Sequence, residues 1–238
     1  MPKERNCIKI LSLIFILIEV ALFPLIQLLP ADGSAFFSYV AIVCVALFAL
    51  LTVRGEKDGH FIRLGILFTL FADYFLVISY DAELEGVLFF ICAQLSYFAY
   101  LFAVENRGRV RFFNITTRVA LSAVLVFVAF IVLGNDTDAL AVASVIYYGN
   151  LLVNIVFAFL RYREEKLFAI GLVLFAMCDL CIGLDVLFSA YLKLDISGSI
   201  FYSAYHNLPW VFYQPSQVFI GLRLAEKIDV LSLTENTQ

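Results

Sequence analysis

Four carboxylic acids stand inside long apolar stretches of this chain: Glu19, Asp73, Asp179 and Asp185. No lysine or arginine is read deep enough in those stretches to pair with them. A charge at the centre of a bilayer costs at least about 2.5–3.5 kcal/mol, so acids placed there face a bundle interior or water. Asp73 and Asp179 are set apart by their spacing. GILFTLFAD runs from Gly65 to Asp73 and GLVLFAMCD from Gly171 to Asp179, each with glycine eight residues before the acid. At a helical rise of about 1.5 Å per residue, both carboxyls lie about 12 Å past their glycines, which predicts matched depth near mid-membrane. Two carboxyls sharing one proton supply a neutral acid beside an ionised base. Such a pair can carry protons, coordinate a cation or catalyse hydrolysis, and all three remain open on these residues. Glu19 and Asp185, taken singly, read more simply as acids bonding a neighbouring helix.

Other polar side chains recur at helical spacing. Tyr202, His206, Pro209, Tyr213 and Gln217 share one face, as do Tyr147, Asn150 and Asn154, and Gln94 with Tyr97. Thr69 stands one turn before Asp73. One such residue is ordinary helix–helix glue, but several polar faces beside two acids predict a wet or ligand-filled cavity. The candidate catalytic pair is therefore Asp73 and Asp179. The candidate binding residues are Gln94, Tyr97, Tyr147, Asn150, Asn154, His206, Tyr213 and Gln217. No metal and no cofactor is assigned, because His206 has no matching ligands and HExxH, GxSxG and P-loop patterns are absent. The GxGD pattern of presenilin-type proteases is absent too.

These residues must be positioned by membrane helices. Of the 238 residues, 63% are apolar and only 15% charged, and mean hydropathy is +0.96. A soluble protein of this length has a water-facing exterior to cover and cannot hide so much apolar surface. A net charge of −4 argues against a nucleic-acid partner. Eight apolar stretches can be read: Ile8–Leu29, Phe36–Val53, Leu64–Tyr80, Gly86–Val104, Val119–Gly134, Ala139–Leu160, Leu167–Ala190 and Ile200–Leu222. The fold class is an all-α polytopic membrane protein of eight transmembrane helices forming one domain over residues 1–238. The Gly–Asp echo raises a parallel repeat in which spans three and four are echoed by seven and eight. Continuous rather than alternating apolar character excludes a β-barrel. With the N-terminus inside, 15 basic residues lie inside and only Lys193 outside, so both termini are expected in the cytoplasm and the chain is expected to be a multi-pass membrane protein, of the plasma membrane if the cell is bacterial. The five cysteines are read as small packing residues.

The segments GILFTLFADYFL, EGVLFFICAQLSYFAYLF, GLVLFAMCDLCIGL and WVFYQPSQVFIGL resemble the lysoplasmalogenase (YhhN-like) family of membrane proteins, from about the third span onward. The resemblance implies hydrolysis of the vinyl-ether bond of a lysophospholipid substrate drawn from the bilayer. The family's acids fall on Asp73 and Asp179, and its closing Tyr…Gln element on Tyr213 and Gln217. The sequence departs from the pattern at Gln94, where a His is expected. A proton-coupled transporter or ion pathway using the same two Asp is the alternative, since depth-matched acids suit it equally.

Overall fold

The computed structural model describes residues 2–52, 58–79, 82–186 and 208–235, all of them helical or connecting. Eight long helices follow one another among these residues. They are α1 (Pro2–Leu28), α2 (Ala31–Leu51), α3 (Gly59–Asp73), α4 (Glu83–Val104), α5 (Gly108–Leu133), α6 (Ala139–Leu160), α7 (Lys166–Val186) and α8 (Leu208–Glu235). No strand occurs among the described residues. Seven of the helices, α1 to α7, are long and apolar enough to cross a membrane, with α3 counted through residue Ser79. The eighth expected span begins at residue 200, outside the described residues, and α8 carries Arg223, Glu226 and Lys227 in its second half.

Local signals set the helix ends. Asp138 caps α6 by accepting the Ala141 N–H at 2.7 Å, which satisfies one of the donors a helix start leaves free. Gly134 ends α5 with φ of 56°, a backbone that a side chain would strain. Between α4 and α5, the Arg107 guanidinium grips Glu105 through both carboxylate oxygens at 2.9 Å and holds that carboxyl down to about 2.

Seven helices close a ring in the order α1, α2, α3, α4, α6, α7, α8 and back to α1. α5 lies outside it, packed on α6, and turns Phe113, Phe127 and Ile131 outward. Burial of the remaining apolar faces gives one core in which Phe168, Phe175, Ile66 and Leu172 are fully enclosed. The two glycines of the Gly–Asp echo sit at helix contacts. A Cβ on Gly65 would lie 2.2 Å from the Tyr97 ring of α4, and one on Gly171 would lie 3.0 Å from the Ser216 carbonyl of α8. Glycine is what lets α4 and α8 approach α3 and α7 so closely.

The fifth helix corrects the expected boundaries. It starts at Gly108, eleven residues before Val119, so Arg118 stands inside a helix rather than in a loop. Arg223 is likewise helical and fully buried. These cations break the hydropathy run but not the helix, because each finds its partners inside the bundle. Arg223 donates Nε to Glu165 at 2.6 Å and Nη2 to the other Glu165 oxygen at 2.9 Å. The Tyr100 hydroxyl donates to Glu165 at 2.8 Å. Glu165 stands at the head of α7 and its carbonyl accepts the Ala169 N–H, so this cluster ties α4, α7 and α8 together at one end.

Breaking a buried ion pair from one side leaves an uncompensated charge, which costs about 3–5 kcal/mol. Glu165→Gln should therefore lower stability by about that much in thermal unfolding of the detergent-solubilised protein. The double variant Glu165→Leu, Arg223→Met should recover most of the loss.

Candidate active site

α3 and α7 run in the same direction and carry the two aspartates. Asp73 lies fourteen residues after Gly59, about 21 Å along α3, and Asp179 thirteen residues after Lys166, about 20 Å along α7. The depths match, but they fall well past mid-span, because α3 begins before Leu64 and takes in His60 and Arg63. The acids therefore sit toward the end of the bundle opposite the Glu165–Arg223 cluster. α3 changes character directly after Asp73: residues Tyr74–Ser79 form a π-helical segment, a distortion that recurs at functional sites.

Each acid receives one tyrosine hydroxyl from another helix. Tyr213 of α8 donates to Asp73 Oδ2 at 2.7 Å, and Tyr147 of α6 donates to Asp179 Oδ2 at 2.6 Å. Asp73 is buried and Asp179 is half-buried. Two phenylalanines join the pairs. Phe90 of α4 stacks on Tyr147 with ring centres 5.4 Å apart and meets Tyr213 edge-on at 6.4 Å. Phe175 of α7 meets Tyr213 at 5.2 Å and Tyr147 at 6.3 Å. Trp210 adds its ring edge-on to Tyr213 at 5.2 Å. The two carboxyls lie within range of each other's charge, and neither has a cationic partner among the described residues. Two tyrosine-held acids in an aromatic chamber can donate and accept a proton at one place.

The other expected binding residues divide into two groups. Asn150 and Asn154 are buried, and they hold Arg118. Its Nη1 donates to Asn150 Oδ1 at 2.5 Å, and its Nη2 to Asn154 Oδ1 at 2.8 Å and Asn114 Oδ1 at 3.3 Å. Asn154 Nδ2 donates in turn to Gln94 Oε1 at 2.9 Å. Gln94 and Gln217 are fully buried one helical turn from Phe90 and Tyr213, and Tyr97, also fully buried, lies two turns from Phe90. Gln217 donates to Ser216 Oγ at 3.4 Å. His206 lies outside the described residues, as does the side chain of Asp185. Among the described residues no group of three or more His, Cys, Asp or Glu side chains is gathered as a metal site would be.

Three participants escaped the sequence. Phe90 and Phe175 are two among 25 phenylalanines, with nothing to mark them. Arg118 was hidden by its charge, although Asn114 four residues earlier is the helical spacing that supports it. Glu19 is not solitary: Gln214 Nε2 donates to its Oε2 and to its carbonyl, both at 2.8 Å, pinning α1 to α8 beside Tyr213.

The fold and site define a polytopic helical membrane protein with two interior carboxyls. The chain belongs to the YhhN family, whose family model matches residues 33–208 of the 238. The match reaches back into α2, earlier than the third span, and includes both aspartates and Tyr147. It ends at Leu208, so Tyr213 and Gln217 lie beyond the matched segment. No curated protein and no solved structure matches the chain.

If the chamber couples the two tyrosine–aspartate pairs, they should not be energetically independent. Tyr147→Phe and Tyr213→Phe should each cost about 1–3 kcal/mol by stranding a carboxylate oxygen. In a double-mutant cycle read by thermal unfolding, their effects should depart from additivity by at least about 0.5 kcal/mol. Strictly additive losses would mean two separate sites.

Proposed function

We propose that this protein is a membrane-embedded hydrolase that opens the vinyl-ether bond of a lysoplasmalogen. The supporting observation is the pair of depth-matched carboxyls, each held by a single tyrosine and by no cation, facing one aromatic chamber. Membership of the YhhN family supports the same chemistry. The division of labour is that of paired carboxyls in glycoside hydrolysis. One acid donates a proton to the β-carbon of the vinyl ether, and the C=C electrons form the new C–H bond. The resulting oxocarbenium ion is stabilised by the other, ionised carboxylate. Water held by that carboxylate adds to the cationic carbon and loses its proton to it. The hemiacetal then collapses to a fatty aldehyde and a glycerophospho-alcohol. The tyrosines fix the orientation of both carboxyls, and Phe90 and Phe175 exclude bulk water.

The position of the acids past mid-span brings them toward the depth of a lipid's ether bond. Between α4 and α6, a groove of about 480 Å³ is lined by Leu84, Leu88, Ile91, Ala143 and Ile146, with Thr137 and Asp138 at its rim. Ile146 directly precedes Tyr147, so an alkenyl chain lying in this groove would lead its ether to the chamber. By the positive-inside rule the basic end of the bundle, with both termini, faces the cytoplasm.

The test is aldehyde release by the purified protein in detergent, from a vinyl-ether lysolipid and its ester-linked analogue. Aldehyde should appear from the vinyl ether alone. Asp73→Asn and Asp179→Asn should each cut turnover by about 10²–10⁴-fold while remaining folded. Near-normal turnover in both variants would overturn the scheme. No aldehyde from folded wild type, with proton flux in liposomes that Asp73→Asn abolishes, would establish a proton-coupled transporter instead.

A further inference from the structure

Arg118 stands ten residues past Gly108, about 15 Å along α5, and is buried. Its Nη1 donates to Asn150 and its Nη2 to Asn114 and Asn154, and its guanidinium lies 4.4 Å from the centre of the Phe98 ring of α4. Every one of these partners is neutral. Three amide oxygens and a ring face solvate the cation, but none of them cancels its charge. The other buried arginine among the described residues, Arg223, is forked onto Glu165. A buried cation without an anion beside it is costly, and in such surroundings its field is weakly screened.

Its counter-charge must come from the acids that have no cation of their own. Among the described residues deep in the bundle these are Glu19, Asp73 and Asp179. Glu19 can be set aside. Gln214 spends its Nε2 on Glu19 Oε2 and on the Glu19 main-chain carbonyl. Glu19 Oε1 and Gln214 Oε1 are left as buried acceptors without a donor. A proton on Glu19 turns one of those acceptors into a donor and removes the charge.

The aspartates remain. They lie within range of each other's charge, so they hold one proton between them more readily than two charges. The other titratable groups within range, from α2, α4, α6, α7 and α8, are Tyr39, Tyr97, Tyr147, Tyr148, Cys178 and Tyr213. These are phenols and a thiol, uncharged at neutral pH. One shared proton leaves the pair with a single negative charge, which balances Arg118. Asn150, which holds Arg118, follows Tyr147, which holds Asp179, by three residues or about 4.5 Å along α6. Allowing for the side chains, the guanidinium and the pair lie on the order of 12 Å apart. That is too far for an ion pair. At an effective dielectric of about 20, a unit charge at that distance still moves an ionisation by about 1 pH unit.

We propose that Arg118 is the counter-charge of the aspartate pair and holds it at one proton and one negative charge. The asparagines keep the cation solvated at a distance, so its field favours ionisation while no guanidinium captures either carboxylate. The inference deepens the hydrolase reading, which needs a neutral acid beside an ionised base. It rests on that reading for the reaction and not for the charge. Arg118 touches no reacting atom and is a positioning residue.

Asn114→Asp separates this role from a structural one. It leaves Arg118 in place and sets an anion four residues before it, a spacing at which the two stabilise a helix. The variant should unfold no earlier than wild type, yet the pair loses its compensation. Without a net positive field, each proton leaves the pair at higher pH. In Asn114→Asp and in Arg118→Gln, both limbs of the kcat/KM–pH profile for aldehyde release should move up by about 1 unit, with about tenfold loss on the acid side. The same shift should appear in infrared pH titration of the carboxylic-acid C=O band, which needs no turnover. That band is identified by its loss in the double variant Asp73→Asn, Asp179→Asn. Arg118→Lys keeps the charge and Glu19→Gln keeps the bond to Gln214, so both should leave the midpoints within about 0.3 unit of wild type. If Arg118→Gln does not fold, Asn114→Asp carries the test. Unmoved midpoints in folded Asn114→Asp, or an equal shift in Glu19→Gln, would overturn the assignment. Shifted infrared midpoints in a protein whose wild type releases no aldehyde would uphold the counter-charge and reject the hydrolase reading.

Discussion

In a bilayer core no water stands ready to satisfy a polar side chain, so every buried donor, acceptor or charge must find its partner on another helix. This constraint organises the bundle more than its apolar contacts do, since lipid tails are as apolar as leucine. Glu165, Arg223 and Tyr100 bind α4, α7 and α8 at one end. Glu19 and Gln214 bind α1 to α8, and Arg118 with its three asparagines fastens the outlying α5 to α6. Each of these links is a crossing that hydrophobic packing alone leaves free to slide.

Set against that background, the two aspartates are under-provided. Glu165 has an arginine fork and a tyrosine, and Glu105 has a fork of its own. Asp73 and Asp179 each receive one tyrosine hydroxyl. Glu19, which pins α1 to α8, also has a single neutral donor, so what sets the aspartates apart is that two such acids lie within range of each other's charge. Leaving both carboxyls with a single neutral donor keeps them able to exchange a proton, which a guanidinium would prevent.

Much of the architecture was legible in the sequence, because a long apolar run admits few readings. The bounds of α6 were read to the residue, and those of the other helices up to α7, apart from α5, within six residues once the π segment is counted with α3. The fifth failed at Arg118, where a charge was taken for a loop although the bundle could solvate it. Both acids could be picked out by their apolar setting and Gly–Asp spacing, and Tyr147 and Tyr213 by helical spacing. Which tyrosine meets which acid was not, because Tyr147–Asp179 and Tyr213–Asp73 cross between helices 32 and 140 residues apart. Phe90 and Phe175 were invisible for a related reason: their role is set by where a ring lands, and one phenylalanine looks like another.

The Gly–Asp motif explains why the acids match in depth, and the helices around them explain why their surroundings differ. Gly65 and Gly171 each let a neighbouring helix, α4 and α8 respectively, close in eight residues before the carboxyl. From there the two sites diverge. Asp73 is buried, receives its hydroxyl from α8 and is followed at once by the π segment. Asp179 is half-buried and receives its hydroxyl from α6, the helix that also walls the apolar groove. One motif in two environments is what an acid and a base need if they are to hold different protonation states at the same depth.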